Sequence, residues 1–118
     1  METIIRKSQY ADLVSVRCID GWYHVFRLSR VAYVCQDRKI CSIHVFGMEP
    51  LMVNMSLNEI RDLLFSDPCF VDINRSAFVN TLYVSMYEKH FVKLRFEDKE
   101  IKLPVTLKGF NRHIFEVN

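Results

Sequence analysis

The stretch Phe91-Val92-Lys93-Leu94-Arg95-Phe96-Glu97-Asp98-Lys99-Glu100-Ile101-Lys102-Leu103-Pro104-Val105 decides the fold class. Apolar and polar residues alternate along both arms, and Glu97-Asp98-Lys99 forms a charged tip between them. A period of two sends successive side chains to opposite faces of a strand, so the arms read as an antiparallel hairpin. Val92, Leu94 and Phe96 are expected to face inward opposite Ile101, Leu103 and Val105.

The chain upstream repeats this pattern. Residues 13–19 alternate before Asp20-Gly21, a common turn pair, and residues 23–28 follow with β-branched and aromatic side chains, so a first hairpin is expected here. Residues 31–35 resume after Ser29-Arg30. The polar break Gln36-Asp37-Arg38-Lys39 then separates them from a strand over 40–46, which ends at Gly47. Past the Glu49-Pro50 turn, residues 51–55 form a short strand that leads into Ser56-Leu57-Asn58-Glu59. Ser56 with Glu59 three residues on is a capping box, in which the hydroxyl satisfies a free helix N–H and the carboxylate reaches back to the cap. A short helix is predicted from Ser56. Leu57, Ile60, Leu63 and Leu64 make its apolar stripe, Asn58, Arg61 and Asp62 its polar side, and Ser66-Asp67-Pro68 its stop. Extended stretches over 70–73, 77–79 and 82–87 follow, interrupted by Asn74-Arg75-Ser76 and by Asn80-Thr81.

Many short strands and one clear helix predict a mostly β domain with one or two short helices, its sheets antiparallel. No glycine-rich strand-to-helix turn points to a parallel nucleotide-binding sheet. The 118 residues suit one domain, here residues 11–118 behind an N-terminal segment 1–10, and a hydrophobic share of 50% argues against disorder. No apolar run approaches a membrane span and residues 1–10 are too polar for a secretory signal, so a cytoplasmic location is expected. Sixteen Lys and Arg against fourteen Asp and Glu leave a net charge of +2, so any nucleic-acid contact needs its cations gathered locally.

Cys18, Cys35, Cys41 and Cys69 contain no C-x-x-C pair and are expected to be buried, reduced thiols. Cys41 and His44 stand three apart, which puts them on opposite faces of a strand, so no metal site is expected. His24, His44, His90 and His113 lack a neighbouring nucleophile pattern, and Glu97, Asp98 and Glu100 suit a solvated turn. The sequence thus reads as no enzyme, with no cofactor.

The run Phe70-Val71-Asp72-Ile73-Asn74-Arg75-Ser76-Ala77-Phe78-Val79-Asn80 resembles the F-x-R-x-H-R-S-x-x-V-N core of the LytTR family of DNA-binding domains. Ser56-Leu57-Asn58-Glu59-Ile60 resembles that family's S-L-x-E-L helix start, and Ile101-Lys102-Leu103-Pro104-Val105-Thr106 its I-x-L-P-V-S ending, so the likeness runs over residues 14–110. The resemblance implies an elongated fold of antiparallel strands whose loops enter the grooves of double-stranded DNA at promoter direct repeats. It also implies a bacterial transcription regulator, the output half of a two-component-like system, with a homodimer on DNA or a separate signalling partner. Within these 118 residues no receiver domain is expected. Asp72 and Asn74 stand where the family has Arg and His, and Leu107 where it often places a DNA-contacting Arg.

Three loops carry the chemistry that such binding needs: Arg38 with Lys39, then Asn74, Arg75 and Ser76, then Lys108. Arg matches guanine O6 and N7, Asn matches adenine N6 and N7, and Lys39 and Lys108 suit phosphate. Each residue has a plainer alternative. Arg75 can be a surface arginine and Asn74 a turn residue bonding its own backbone; Ser76 can close the turn, and Thr106 can cap a closing helix. Asn80 is expected to be structural, ending a strand in a conformation that Asn tolerates. Two function classes remain, a sequence-specific DNA-binding regulator and a non-DNA protein-interaction module on the same scaffold.

Overall fold

The computed structural model describes residues 5–7, 12–64 and 69–106, with the side chains of residues 5–7 and 64 outside that description. The alternation over residues 91–105 folds as a hairpin of β10 (Phe91–Phe96) and β11 (Lys99–Pro104), with Val92 opposite Leu103 and Leu94 opposite Ile101. Val92, Leu94, Phe96 and Val105 are buried, and Ile101 and Leu103 pack half-buried against the same cluster. The tip is shorter than the sequence implies. Phe96 faces Lys99, leaving Glu97 and Asp98 alone in the turn at φ 52° and 59°. A two-residue hairpin turn of matching twist demands such left-handed angles.

The first hairpin also forms. β2 (Leu13–Arg17) pairs with β3 (Tyr23–Arg27) in unbroken register, and β1 (Ile5–Lys7) adds to the other side of β2. Gly21 closes the turn at φ 88°, a conformation that a side chain would strain, and Trp22 N–H donates to the Asp20 carboxylate at 2.9 Å. A 3-10 turn over Leu28–Arg30 leads into a five-stranded antiparallel sheet. Its strands are β4 (Val31–Asp37), β5 (Ile40–Val45), β6 (Leu51–Val53), β7 (Phe70–Asn74) and β8 (Ala77–Asn80), in the spatial order β6-β5-β4-β8-β7. β9 (Val84–Tyr87) joins β10 and β11 in a third sheet.

The five-stranded sheet is the middle layer, and this explains the apolar character of both faces of β4 and β8. Val31, Val34, Cys41, Ile43, Val45 and Phe78 face the β1-β2-β3 sheet and α1 (Leu57–Leu64) in one core. Tyr33, Ile73, Ala77 and Val79 face β10 and β11 in a second. Full burial of Phe78 alone contributes about 1.5–3 kcal/mol. The body measures 43 × 31 × 27 Å, elongated in one direction.

Several local expectations change. Ser56 caps the helix, Glu59 N–H donating to Ser56 Oγ at 3.1 Å, while the Glu59 carboxylate reaches back to the Ser56 hydroxyl at 3.1 Å in place of the backbone N–H of a full capping box. Leu57 and Ile60 are buried, but Leu63 is 41% exposed. At 100° per residue it sits about 120° round from Leu57, outside the narrow stripe that a two-turn helix buries. The stop at Ser66-Asp67-Pro68 and the Leu64 side chain lie outside the described residues. Leu82 and Tyr83 belong to a 3-10 turn over Thr81–Tyr83 ahead of β9. Asn80 is structural for a different reason from the one expected. Its backbone is extended (φ −87°, ψ 119°), and its buried amide accepts Leu82 N–H and donates to the Val31 carbonyl, each at 2.9 Å. All four cysteines are free, but only Cys18 and Cys41 are buried; Cys35 and Cys69 are half-buried.

Candidate nucleic-acid interface

Antiparallel pairing of β4 with β8 places Cys35 opposite Ala77, so the turn that ends β4 and the turn that begins β8 share one end of the middle sheet. Gln36 N–H donates to the Ser76 carbonyl at 2.8 Å and fastens the two turns together. Arg38 and Lys39 form the first turn, both exposed, with Asp37 opposite Ile40 at its base. The break between strands is therefore two residues; Gln36 and Asp37, read as part of it, belong to β4.

Arg38 adopts φ 61°, a left-handed conformation that a residue with a Cβ holds only against a cost of about 1–2 kcal/mol. Gln36 supplies the restraint. Its Nε2 donates to the Arg38 carbonyl at 2.7 Å, and its Oε1 accepts Leu57 N–H at 2.7 Å. One amide thus couples the basic turn to the first turn of α1, where helix N–H groups lack internal partners. Gln36 was not singled out from the sequence, because a Gln beside a turn carries no motif.

Arg75 and Ser76 form the second turn, both exposed. Asn74 sits half-buried beneath them, its Oδ1 accepting Ser76 N–H at 2.7 Å and its Nδ2 donating to the Pro104 carbonyl at 2.9 Å. Both ends of this amide are engaged, which favours the turn role over adenine reading and leaves Arg75 as the projecting side chain. Thr106 N–H donates to the Ile73 carbonyl at 2.9 Å, so the chain past β11 also starts from this end of the sheet. Thr106 is exposed, while Lys108 and Leu107 lie outside the described residues.

The charge balance at this end follows from the pairing. Among the described residues, Arg38, Lys39 and Arg75 form no ion pair. Asp72, where the family has Arg, turns its carboxylate to Arg61 of α1 at 2.8 Å and so subtracts little from the rim. Asp37 stays exposed beside Arg38.

The remaining polar groups lie elsewhere. Cys41 and His44 do take opposite faces of β5, Cys41 in the first core and His44 stacked on Tyr33 with ring centroids 3.9 Å apart. His44 Nε2 lies 3.0 Å from Ser42 Oγ and 3.8 Å from Cys35 Sγ, a cross-strand grouping that linear spacing hides. Burial, with a smaller push from Lys99, lowers the His44 pKa to about 4, so the ring is neutral at pH 7. Among the described residues no group of three His, Cys, Asp or Glu is placed to hold a metal ion. The Glu97 carboxylate accepts Gly47 N–H, and Glu100 pairs with Arg95 at 3.1 Å and Lys93 at 3.6 Å.

No known family profile matches the chain, and no curated protein matches it. Among solved structures it is similar to the LytTr DNA-binding domain of a putative methyl-accepting/DNA response regulator from Bacillus cereus. The two superpose with a TM-score of 0.62 at 19% identity, over 80% of this chain and 86% of that one. The described residues form three antiparallel sheets with one α-helix, and this superposition gives the chain the LytTr-type fold.

Proposed function

We propose that the chain binds double-stranded DNA sequence-specifically through the rim of Arg38, Lys39, Arg75 and Ser76, with Lys108, outside the described residues, as a further phosphate contact, and acts as a cytoplasmic transcription regulator of bacterial type. The observation that carries the reading is the Gln36–Ser76 backbone bond, which draws two basic turns into one rim whose cations form no ion pair among the described residues. A fold shared with a domain described as DNA-binding supports it. None of the described helices is long and apolar enough to cross a membrane. The groups in the rim suit recognition: guanidinium forks for guanine edges or phosphates, an ammonium and a hydroxyl for phosphates. Asn74 contributes by holding Arg75, and no catalytic step is invoked.

The test compares Arg75→Ala with Lys39→Ala on specific and random duplexes at one fixed salt concentration. Arg75→Ala is expected to lose about 1–3 kcal/mol of discrimination at one base position. Lys39→Ala is expected to weaken all duplexes alike. Unchanged sequence preference in Arg75→Ala, with the fold intact, would remove the recognition role.

A further inference from the structure

An open sheet edge presents unpaired N–H and C=O groups, and proteins blunt such edges with short strands, lysines, prolines or bulges. Most edges among the described residues are blunted in these ways. β1 and β6 are three residues long, β9 is bulged against β10, and β11 carries Lys99, Lys102 and Pro104. β7 is occupied by the Asp72–Arg61 pair and the Thr106–Ile73 bond. β3 carries the least of this: five residues, unbroken register, no Lys and no Pro, with the one charge of Arg27 lying 3.8 Å from the Asp12 carboxylate.

The backbone phase of β3 is fixed from both ends. Cys18 N–H donates to the Trp22 carbonyl at 2.9 Å and Leu28 N–H to the Asp12 carbonyl at 2.7 Å. Bonded and unbonded facing pairs alternate in an antiparallel ladder, so His24 and Phe26 turn their backbone groups toward β2. Tyr23, Val25 and Arg27 turn theirs away, and no backbone hydrogen bond reaches these three among the described residues. Their side chains are exposed as well, Tyr23 at 49% and Val25 at 56%, next to Trp22 at 73% and Ile19 at 60%.

We propose that β3 is the docking seam for a second copy of this chain, the two β3 strands pairing antiparallel about a two-fold axis through Val25. The choice of occupant follows from self-complementarity. In this register Val25 faces Val25, and Tyr23 faces Arg27 of the second copy at both ends, so a guanidinium meets a phenol ring twice. All three outward backbone positions find partners. An axis at Arg27 would oppose two like charges, and an axis at Tyr23 would set Val25 against Gly21 of the turn. The seam leaves the DNA rim free, because β3 enters the middle sheet at the Val31 end of β4 and the rim lies past its Asp37 end. A two-fold pair also sets the two rims in inverted order, which differs from the direct repeats implied by the family resemblance.

Sedimentation velocity over a protein concentration series reads the association. The wild-type chain is expected to show a reversible monomer–dimer equilibrium. Val25→Lys, which opposes two ammonium groups on the axis, is expected to weaken it at least about tenfold. Tyr23→Glu sets a carboxylate against Arg27 of the second copy and is expected to retain the dimer, whereas a merely greasy contact would lose it. On mild oxidation Val25→Cys is expected to cross-link to itself above the wild-type background, since facing Cα atoms lie about 5.5 Å apart. Arg27→Cys is not, its two copies lying about 14 Å apart. Thermal melts of each variant separate lost pairing from lost folding. A chain that stays monomeric at every concentration, a dimer indifferent to Val25→Lys, or equal cross-linking at both positions would overturn the proposal.

Discussion

Gln36→Ala removes one amide that serves the Arg38 carbonyl and Leu57 N–H, each at 2.7 Å, and a longer contact from Cys41 Sγ at 4.0 Å. Gln36 is half-buried, so water reaches part of what is left behind and each bond counts at its net value of about 0.5–1.5 kcal/mol. Losing an acceptor at a helix start typically costs about 1 kcal/mol, within the same range. The two together give an expected loss of about 1–3 kcal/mol in urea denaturation. Gln36→Glu separates the two roles. Its carboxylate still accepts Leu57 N–H and is favoured at a helix N-terminus, but it has no proton for the Arg38 carbonyl. This variant is expected to melt near the wild type while the backbone NMR shifts of Arg38 and Lys39 move and duplex affinity falls. Wild-type stability in Gln36→Ala, or unmoved turn resonances in Gln36→Glu, would refute the coupling of turn to helix.

Asn80→Ala strands a buried carbonyl and an N–H that its amide now satisfies, and a loss of about 2–4 kcal/mol is expected by chemical denaturation. His44 titrates at about 4 in the folded chain against an ordinary value near 6.5, so the unfolded chain binds the extra proton. Its contribution is complete above about pH 6.5 and is lost as pH falls toward 4; melting temperatures of His44→Gln across that window are expected to show a shallower decline. Burial pushes the Cys18 and Cys41 thiols up to about 11, so at pH 8 both are expected to react with a thiol reagent more slowly than Cys35.

Sequence reading succeeded where the cause is local. Asp20-Gly21, Ser56 with Glu59, and the alternation around Glu97-Asp98 each specify a turn, a cap or a face within a few residues, and each forms. The resemblance carried by residues 70–80 pointed to the fold before any geometry was known. What stayed hidden depends on pairing between distant segments. That Arg38 and Arg75 share a rim follows from Cys35 lying opposite Ala77, a contact between residues far apart in the chain. Asp72 looked like a lost basic contact, whereas its carboxylate braces α1 through Arg61. For Asn74 the sequence allows a base reader or a turn residue, and only the fold shows its amide divided between Ser76 and Pro104. Leu63 shows the limit of periodicity, which marks an apolar stripe without giving the width that the sheet beneath it covers.

The central claim is that the rim of Arg38, Lys39 and Arg75 meets duplex DNA, and the dependence of affinity on salt tests it most directly. Neutralised phosphates release counterions, so log affinity falls linearly with log salt, by about 0.9 per phosphate contact. Duplex binding is to be titrated at several salt concentrations for the wild type and for the triple Ala variant at positions 38, 39 and 75. A steep wild-type slope that becomes shallower by about 2–3 in the variant, with melting unchanged, is the expected result if all three cations meet phosphates or their immediate field. A flat wild-type response, or an equal slope in a folded triple variant, would contradict the claim.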